Sequence, residues 1–89
     1  MDKKLTIIVP VYNEEDNLKR VEEEMAAYLK KAAVASQVLF VDDGSSDSSL
    51  KVIREICDNN TDFKYISFVE NRGLSAALKA GFDHTETEL

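Results

Sequence analysis

An α/β domain built on a parallel sheet is what this sequence predicts, on three observations. Short β-branched apolar runs alternate with longer stretches whose apolar residues recur at helical spacing. Each apolar run is followed at once by turn-forming and helix-capping residues. No repeat, linker or low-complexity tract interrupts the alternation. The resulting order is β-α-β-α-β-α. Strands alternating with helices form a parallel sheet through right-handed crossovers, so the expected architecture is a Rossmann-like βαβαβα fragment of three layers. Eighty-nine residues allow one domain.

The first strand is Leu5-Thr6-Ile7-Ile8-Val9, nearly continuously apolar as a strand covered on both faces must be, and Pro10 is expected to end it. Asn13 is placed to cap a helix whose first turn is Glu14, Glu15 and Asp16, where the helix dipole favours acids. Leu18, Val21, Met25, Tyr28, Leu29 and Ala32 then predict one packed stripe. Gln37 to Val41 is a second strand, stopped by Asp42-Asp43-Gly44-Ser45-Ser46-Asp47-Ser48-Ser49. Leu50, Val52, Ile53, Ile56 and Cys57 give the second helix, closed by Asp58-Asn59-Asn60. Phe63 to Val69 supplies a third strand and Glu70-Asn71-Arg72-Gly73 a loop. Leu74, Ala77, Leu78, Gly81 and Phe82 form the apolar side of a third helix, and Thr85 to Leu89 carries no element signal.

Composition removes several classes of function. The net charge is −6, and the 11 basic residues are scattered among 17 acids without a basic face, so nucleic acid is excluded as a partner. Cys57 is the only cysteine, so no intramolecular disulfide forms; it reads as a small buried hydrophobe in a reducing, cytoplasmic setting. Met1-Asp2-Lys3-Lys4 opens the chain with charge, but the apolar run from Leu5 to Val11 contains Pro10 and is too short for a membrane span or a signal segment.

Parallel sheets bind ligands at the carboxyl ends of their strands, and all three polar motifs fall there. After strand one come Pro10, Tyr12, Asn13 and Glu14: Tyr12 offers a ring to stack on a base, and Asn13 or Glu14 offers acceptors for ribose hydroxyls. Plain helix capping explains the same residues, and on composition alone it is the favoured account. After strand two stand the adjacent acids Asp42 and Asp43, which repel each other and are not both needed for one cap, so one is expected to have another partner. A uracil N3–H suits an Asp acceptor, and Gly44 lets the backbone pass close to a ligand. The competing account has Asp47 capping the second helix and Asp42 bonding within its own turn. The acids do not follow calcium-loop spacing. After strand three, Arg72 stands at the start of a helix, where guanidinium and dipole favour an anion such as a diphosphate; a glycine turn with a solvated arginine is the plain alternative. His84 has no Ser, Cys or metal-ligand pattern around it.

Together, Ile7-Ile8-Val9-Pro10-Val11-Tyr12-Asn13-Glu14, Val41-Asp42-Asp43-Gly44-Ser45-Ser46-Asp47, and Asn71-Arg72-Gly73 with Ala76, Ala77 and Gly81 resemble the opening of a family 2 glycosyltransferase. The resemblance covers essentially the whole chain. It implies a GT-A fold and transfer of a sugar, with inversion, from a UDP- or GDP-type nucleotide-diphosphate donor. Pro10, Tyr12, Asn13 and Glu14 would line the nucleoside pocket, Asp43 would bind the base with Asp42 supporting it, and Arg72 would lie near the base or diphosphate. Asn71-Arg72-Gly73-Leu74-Ser75-Ala76-Ala77 is similar to members acting on polyprenyl phosphates or related envelope lipids, which would bring the parent protein to the cytoplasmic face of a membrane.

The family's Asp-x-Asp, which holds Mg²⁺ or Mn²⁺, and its general base do not occur here. Residues 1–89 are therefore expected to be the nucleotide-sugar-binding N-terminal portion of a catalytic domain, without bound metal and without turnover of its own. Two further expectations follow. A non-enzymatic alternative is a receiver- or flavodoxin-like doubly wound module that binds phosphate or metal. The resemblance also implies a central strand one with a fourth strand beside it, so without that strand residues 1–89 are expected to expose an apolar edge through which two copies pair as a homodimer.

Overall fold

The computed structural model describes residues 5–88, so Met1-Asp2-Lys3-Lys4 and Leu89 lie outside the described residues. The elements are β1 (Leu5–Val11), α1 (Leu18–Lys31), β2 (Ser36–Asp42), α2 (Ser49–Asn59), β3 (Phe63–Ser67) and α3 (Leu74–Glu88). All seven residues of β2 are buried. Such a strand must lie in the middle of the sheet, and the observed order is β1-β2-β3 with both pairings parallel. A receiver or flavodoxin order would place β1 between β2 and β3; here β3 pairs with β2, which overturns that alternative.

The strand alternation divides the core in two. On one face Val38, Phe40, Ile53, Ile56, Phe63 and Leu18 pack with Ile7, Val9, Val21 and Met25 beneath α1 and α2. The rings of Phe40 and Phe63 meet at 5.9 Å between centroids. On the other face Leu39, Val41 and Ala77 pack with Ile8, Ile66 and Phe68 beneath α3. The chain therefore changes face after β3, and α3 returns over β2 and β1.

Several expected boundaries move, each for a physical reason. Pro10 does not end β1. The Leu5 amide donates to Ala35 and the Val11 carbonyl accepts from Asp43, so the odd-numbered residues of β1 bond to β2 while Thr6, Ile8 and Pro10 turn their peptide groups to the open edge. A proline at such a position removes no ladder bond. α1 begins at Leu18, and Glu14 to Asp16 form a turn before it in which the Glu14 carbonyl accepts the amides of Asn17 and Leu18. Tyr28 is exposed and lies off the packed stripe, and Ala32 is the C-cap. β2 gains Ser36 and Asp42 at its ends. β3 stops at Ser67, leaving Val69 fully exposed. α3 runs through the expected tail to Glu88, and only Ala77 and Gly81 of its five expected core residues are buried; Leu74, Leu78 and Phe82 are 61%, 41% and 66% exposed. A methyl on Gly81 would lie 2.8 Å from Cγ2 of Ile8, so α3 rests nearly backbone-on-strand against β1.

Candidate nucleotide site at the strand ends

The three polar loops do converge at the carboxyl ends of the strands, and hydrogen bonds tie them to one another. Asn13 adopts the left-handed conformation with φ +51°, which asparagine tolerates better than most residues. This geometry sends its Oδ1 to the β2–α2 loop, where it accepts from the amides of Ser46 at 2.8 Å and Asp47 at 3.3 Å. Successive amides return the contact: Asn13 N–H donates to Ser45 Oγ at 3.0 Å, Glu14 N–H to Ser49 Oγ at 2.8 Å and Glu15 N–H to Asp47 Oδ2 at 3.4 Å. Asn13 is thus a tie between loops and not the cap of α1.

The adjacent acids are both buried, Asp42 at 1% and Asp43 at 5% exposure. Strand alternation points them apart, which relieves the repulsion expected between neighbours. Asp42 accepts from Ser67 Oγ at 3.1 Å and from the Ser45 amide at 3.4 Å. Asp43 reaches the loop before α3, where its carboxylate accepts Arg72 N–H at 2.7 Å, Gly73 N–H at 2.9 Å and Asn71 Nδ2 at 3.0 Å. Asn71 Nδ2 also lies 3.1 Å from the Asp43 carbonyl. Both acids have partners inside the protein, and those of Asp43 lie outside its own turn, in the loop before α3. The Asp43 carboxylate thus lies against the backbone amides at the start of α3, where the helix dipole favours an anion.

Gly44 makes this approach feasible. Its φ is +65°, and a Cβ there would fall on the backbone of Glu70 and Asn71, 2.7 Å from Glu70 Cα. The Arg72 guanidinium lies 4.9 Å from the Phe68 ring centroid, a cation–π contact that holds it beside the loop. Tyr12 is half-exposed on the rim, and the Glu14 carboxylate accepts from Asn17 Nδ2 at 2.8 Å. Pro10 stands opposite Val41 in the sheet, one residue before the acids. Asp47 accepts the Ser49 amide at 2.8 Å, and its hydrogen bonding to Ser49 holds the carboxyl below the ordinary range.

Two acids committed to internal donors are a poor cation site, and no group of three His, Cys, Asp or Glu side chains gathers among the described residues. The residues present do not fit the divalent metal expected of a full-length family member. The anchoring roles of Ser45, Ser49, Ser67 and Asn71 were not assigned from sequence, although the run of serines over positions 45–49 is a signal that marks the first two.

The arrangement has counterparts. Over 84 residues the chain is 37% identical to a Bacillus subtilis (strain 168) protein that carries a glycosyltransferase name, CsbB, covering 94% of this chain and 26% of that one. It is 36% identical over 89 residues to the undecaprenyl-phosphate 4-deoxy-4-formamido-L-arabinose transferase of Salmonella enteritidis PT4, covering 98% of this chain and 27% of that one. A mannosyltransferase from Pyrobaculum calidifontis, solved in complex with GDP-Man and Mn²⁺, superposes with a TM-score of 0.69 at 25% identity, covering 94% of this chain and 25% of that one. The chain thus spans about a quarter of the length of the relatives it matches. The model of the family described as glycosyl transferase family 2 matches residues 6–89, and the chain belongs to that family.

Proposed function

We propose that this chain forms the nucleoside-binding half of the donor site of an inverting glycosyltransferase, one that takes its sugar from a UDP- or GDP-linked donor and passes it to a lipid phosphate. The observation that carries this reading is the state of Asp43. A carboxylate has about four acceptor positions, and three donors approach this one from within the protein. One acceptor position on Oδ1 remains, at the carboxyl end of the central strand, for an N–H donor such as uracil N3–H or guanine N1–H. Adenine and cytosine present an acceptor at the corresponding ring nitrogen and are disfavoured. Tyr12 supplies a stacking surface for the base. Pro10 and Glu14 border the nucleoside, and Arg72, held over Phe68, approaches the base or diphosphate. Asp42, fixed by Ser67, supports Asp43 from behind, and Asn13 holds the rim together without spending its side chain on the ligand.

The GDP-Man and Mn²⁺ of the Pyrobaculum mannosyltransferase support a nucleotide-sugar donor and a divalent ion in the complete site. The Salmonella relative's name supports a polyprenyl-phosphate acceptor. The 89 residues contain no Asp-x-Asp, so the cation and general base are assigned to the further length that the relatives possess, and the chain alone is expected to bind without turnover. None of the helices is long and apolar enough among the described residues to cross a membrane. Membrane contact, like the acceptor site, is therefore assigned to the same additional length, on the cytoplasmic side. Titration of ¹⁵N-labelled chain with UDP, GDP, ADP and CDP tests the reading. Shifts at Tyr12, Asp43, Gly44 and Arg72 with UDP or GDP, weaker with ADP and CDP, are expected. No shift at millimolar nucleotide, or equal shifts with all four, would overturn it.

A further inference from the structure

We propose that Asn71 is a positioning residue for base recognition: it holds the Asp43 carboxylate in the orientation in which a nucleobase N–H meets it. The inference rests on the proposed nucleoside role of Asp43 and gives a role to a side chain that touches no ligand itself. Three donors meet that carboxylate, and two of them are the backbone amides of Arg72 and Gly73. Asn71 supplies the one side chain among them, with Nδ2 3.0 Å from Asp43 Oδ2 and 3.1 Å from the Asp43 carbonyl oxygen. A side-chain amide has two N–H donors, so one is available for each of these acceptors. The amide can face only this way, because its oxygen in place of its nitrogen would confront two acceptors.

The geometry of this clamp explains why a side chain is needed there. The terminal torsion of an aspartate is broad, with no sharp minimum of its own, so the plane of the Asp43 carboxylate is set by its partners. Arg72 N–H holds Oδ1 and Gly73 N–H holds Oδ2. By gripping Oδ2 together with the main-chain carbonyl of the same residue, Asn71 closes a ring through the Asp43 Cα and Cβ and ties the carboxylate to its own backbone. The reach is short because Gly44, at φ +65°, brings its backbone against that of Glu70 and Asn71. Asparagine spans that gap, and glutamine would overshoot it by a methylene. Oδ2 thereby carries two donors and Oδ1 one, which directs an incoming N–H to Oδ1. Without Asn71 the carboxylate gains a rotational freedom that a bound base must remove, and immobilising one such side chain weakens binding by roughly three- to tenfold. The loss falls on nucleotides that present an N–H to Asp43 and spares those that do not.

Dissociation constants of the 89-residue chain for UDP, GDP and ADP, from titration of the ¹⁵N-labelled protein, test this through a ratio. The wild-type chain should bind the better of UDP and GDP more tightly than ADP. Asn71→Ala should shrink that preference by roughly three- to tenfold while leaving the ADP affinity nearly as it was. Asn60→Ala is the control: it removes hydrogen bonds of the same kind, to Glu22 and to the Ile56 carbonyl, at the opposite end of the sheet, and should leave the preference unchanged. A general loosening of the fold would lower all the affinities together and keep the ratio intact. If Asn71→Ala does not fold, the wild-type spectrum decides, because the side-chain amide protons of Asn71 should exchange slowly with solvent both with and without nucleotide. A wild-type chain without any preference would refute the nucleoside reading and this inference with it. A preference that survives Asn71→Ala, one that Asn60→Ala reduces as much, or Asn71 amide protons that exchange freely in the unliganded chain would overturn the inference alone.

Discussion

Replacing Asp43 by asparagine probes the junction of the strand-end loops with almost no change of volume. Arg72 N–H approaches one carboxylate oxygen at 2.7 Å, while Gly73 N–H and Asn71 Nδ2 share the other at 2.9 and 3.0 Å. An asparagine amino group on the shared side would confront two donors, so the side chain should turn its amino group toward Arg72. That loses the shortest bond, leaves a buried amide facing an amide, and demotes the other two bonds from charged to neutral. Charged hydrogen bonds contribute about 1.5–3 kcal/mol and neutral ones about 1 kcal/mol, so the loss should be ~2–4 kcal/mol. A chain of this size has a total stability of roughly 4–13 kcal/mol, so the melting temperature should fall by ~10–25 °C. Urea unfolding followed by far-ultraviolet circular dichroism, at one protein concentration for both chains, measures the difference. A loss below ~0.5 kcal/mol, the scale of an ordinary surface substitution, would mean that Asp43 does not hold the two loops together.

Two further outcomes follow from the same geometry. Gly44→Ala should cost ~3 kcal/mol or more, by urea unfolding, because it combines a left-handed residue with a Cβ driven into the Glu70–Asn71 backbone; a near-neutral result would mean that the two loops do not touch. Burial pushes the Cys57 thiol from its ordinary 9.0 to about 11. The folded state therefore retains a proton that the unfolded chain releases, and stability should be fully present below pH ~9 and decline as the pH rises toward ~11. Cys57→Ser should flatten that decline, and an unchanged alkaline slope would refute the assignment.

The order of elements was legible because each strand is a β-branched run and each helix carries a 3.6-residue period, as Leu18, Val21 and Met25 or Ile53 and Ile56 illustrate. Periodicity was less informative about α3. Leu74, Ala77, Leu78, Gly81 and Phe82 all satisfy the helical spacing, yet only the two smallest are buried. Spacing records which residues share a broad face; how closely the backbone approaches the sheet decides which part of that face is covered. Gly81 brings α3 down onto Ile8 and leaves the larger side chains exposed. Pro10 misled for a related reason: a proline reads as a strand terminator only if its peptide faces a partner strand, and the direction it faces is a property of register.

The convergence of the three polar loops was legible in the sequence and their bonding to one another was not, and the reason lies in the loops themselves. Where parallel strands end, the chain leaves the ladder with unpaired amides at three neighbouring points, and partly buried amides need acceptors. Asn13, Ser45, Asp47 and Ser49 supply them between the first two loops, and Asp43 supplies them to the third. Residue types suited to binding a nucleotide are the same types suited to this internal work, so sequence alone could not apportion them. The structure shows the internal share of that work: Asp42 accepts from Ser67 and the Ser45 amide, Asn13 from the amides of Ser46 and Asp47, and Asp43 from three donors of the loop before α3. On the proposed reading Asp43 would serve both ends: three bonds fix its carboxylate to the loop before α3, and the base would meet an acceptor already held in place instead of a mobile one.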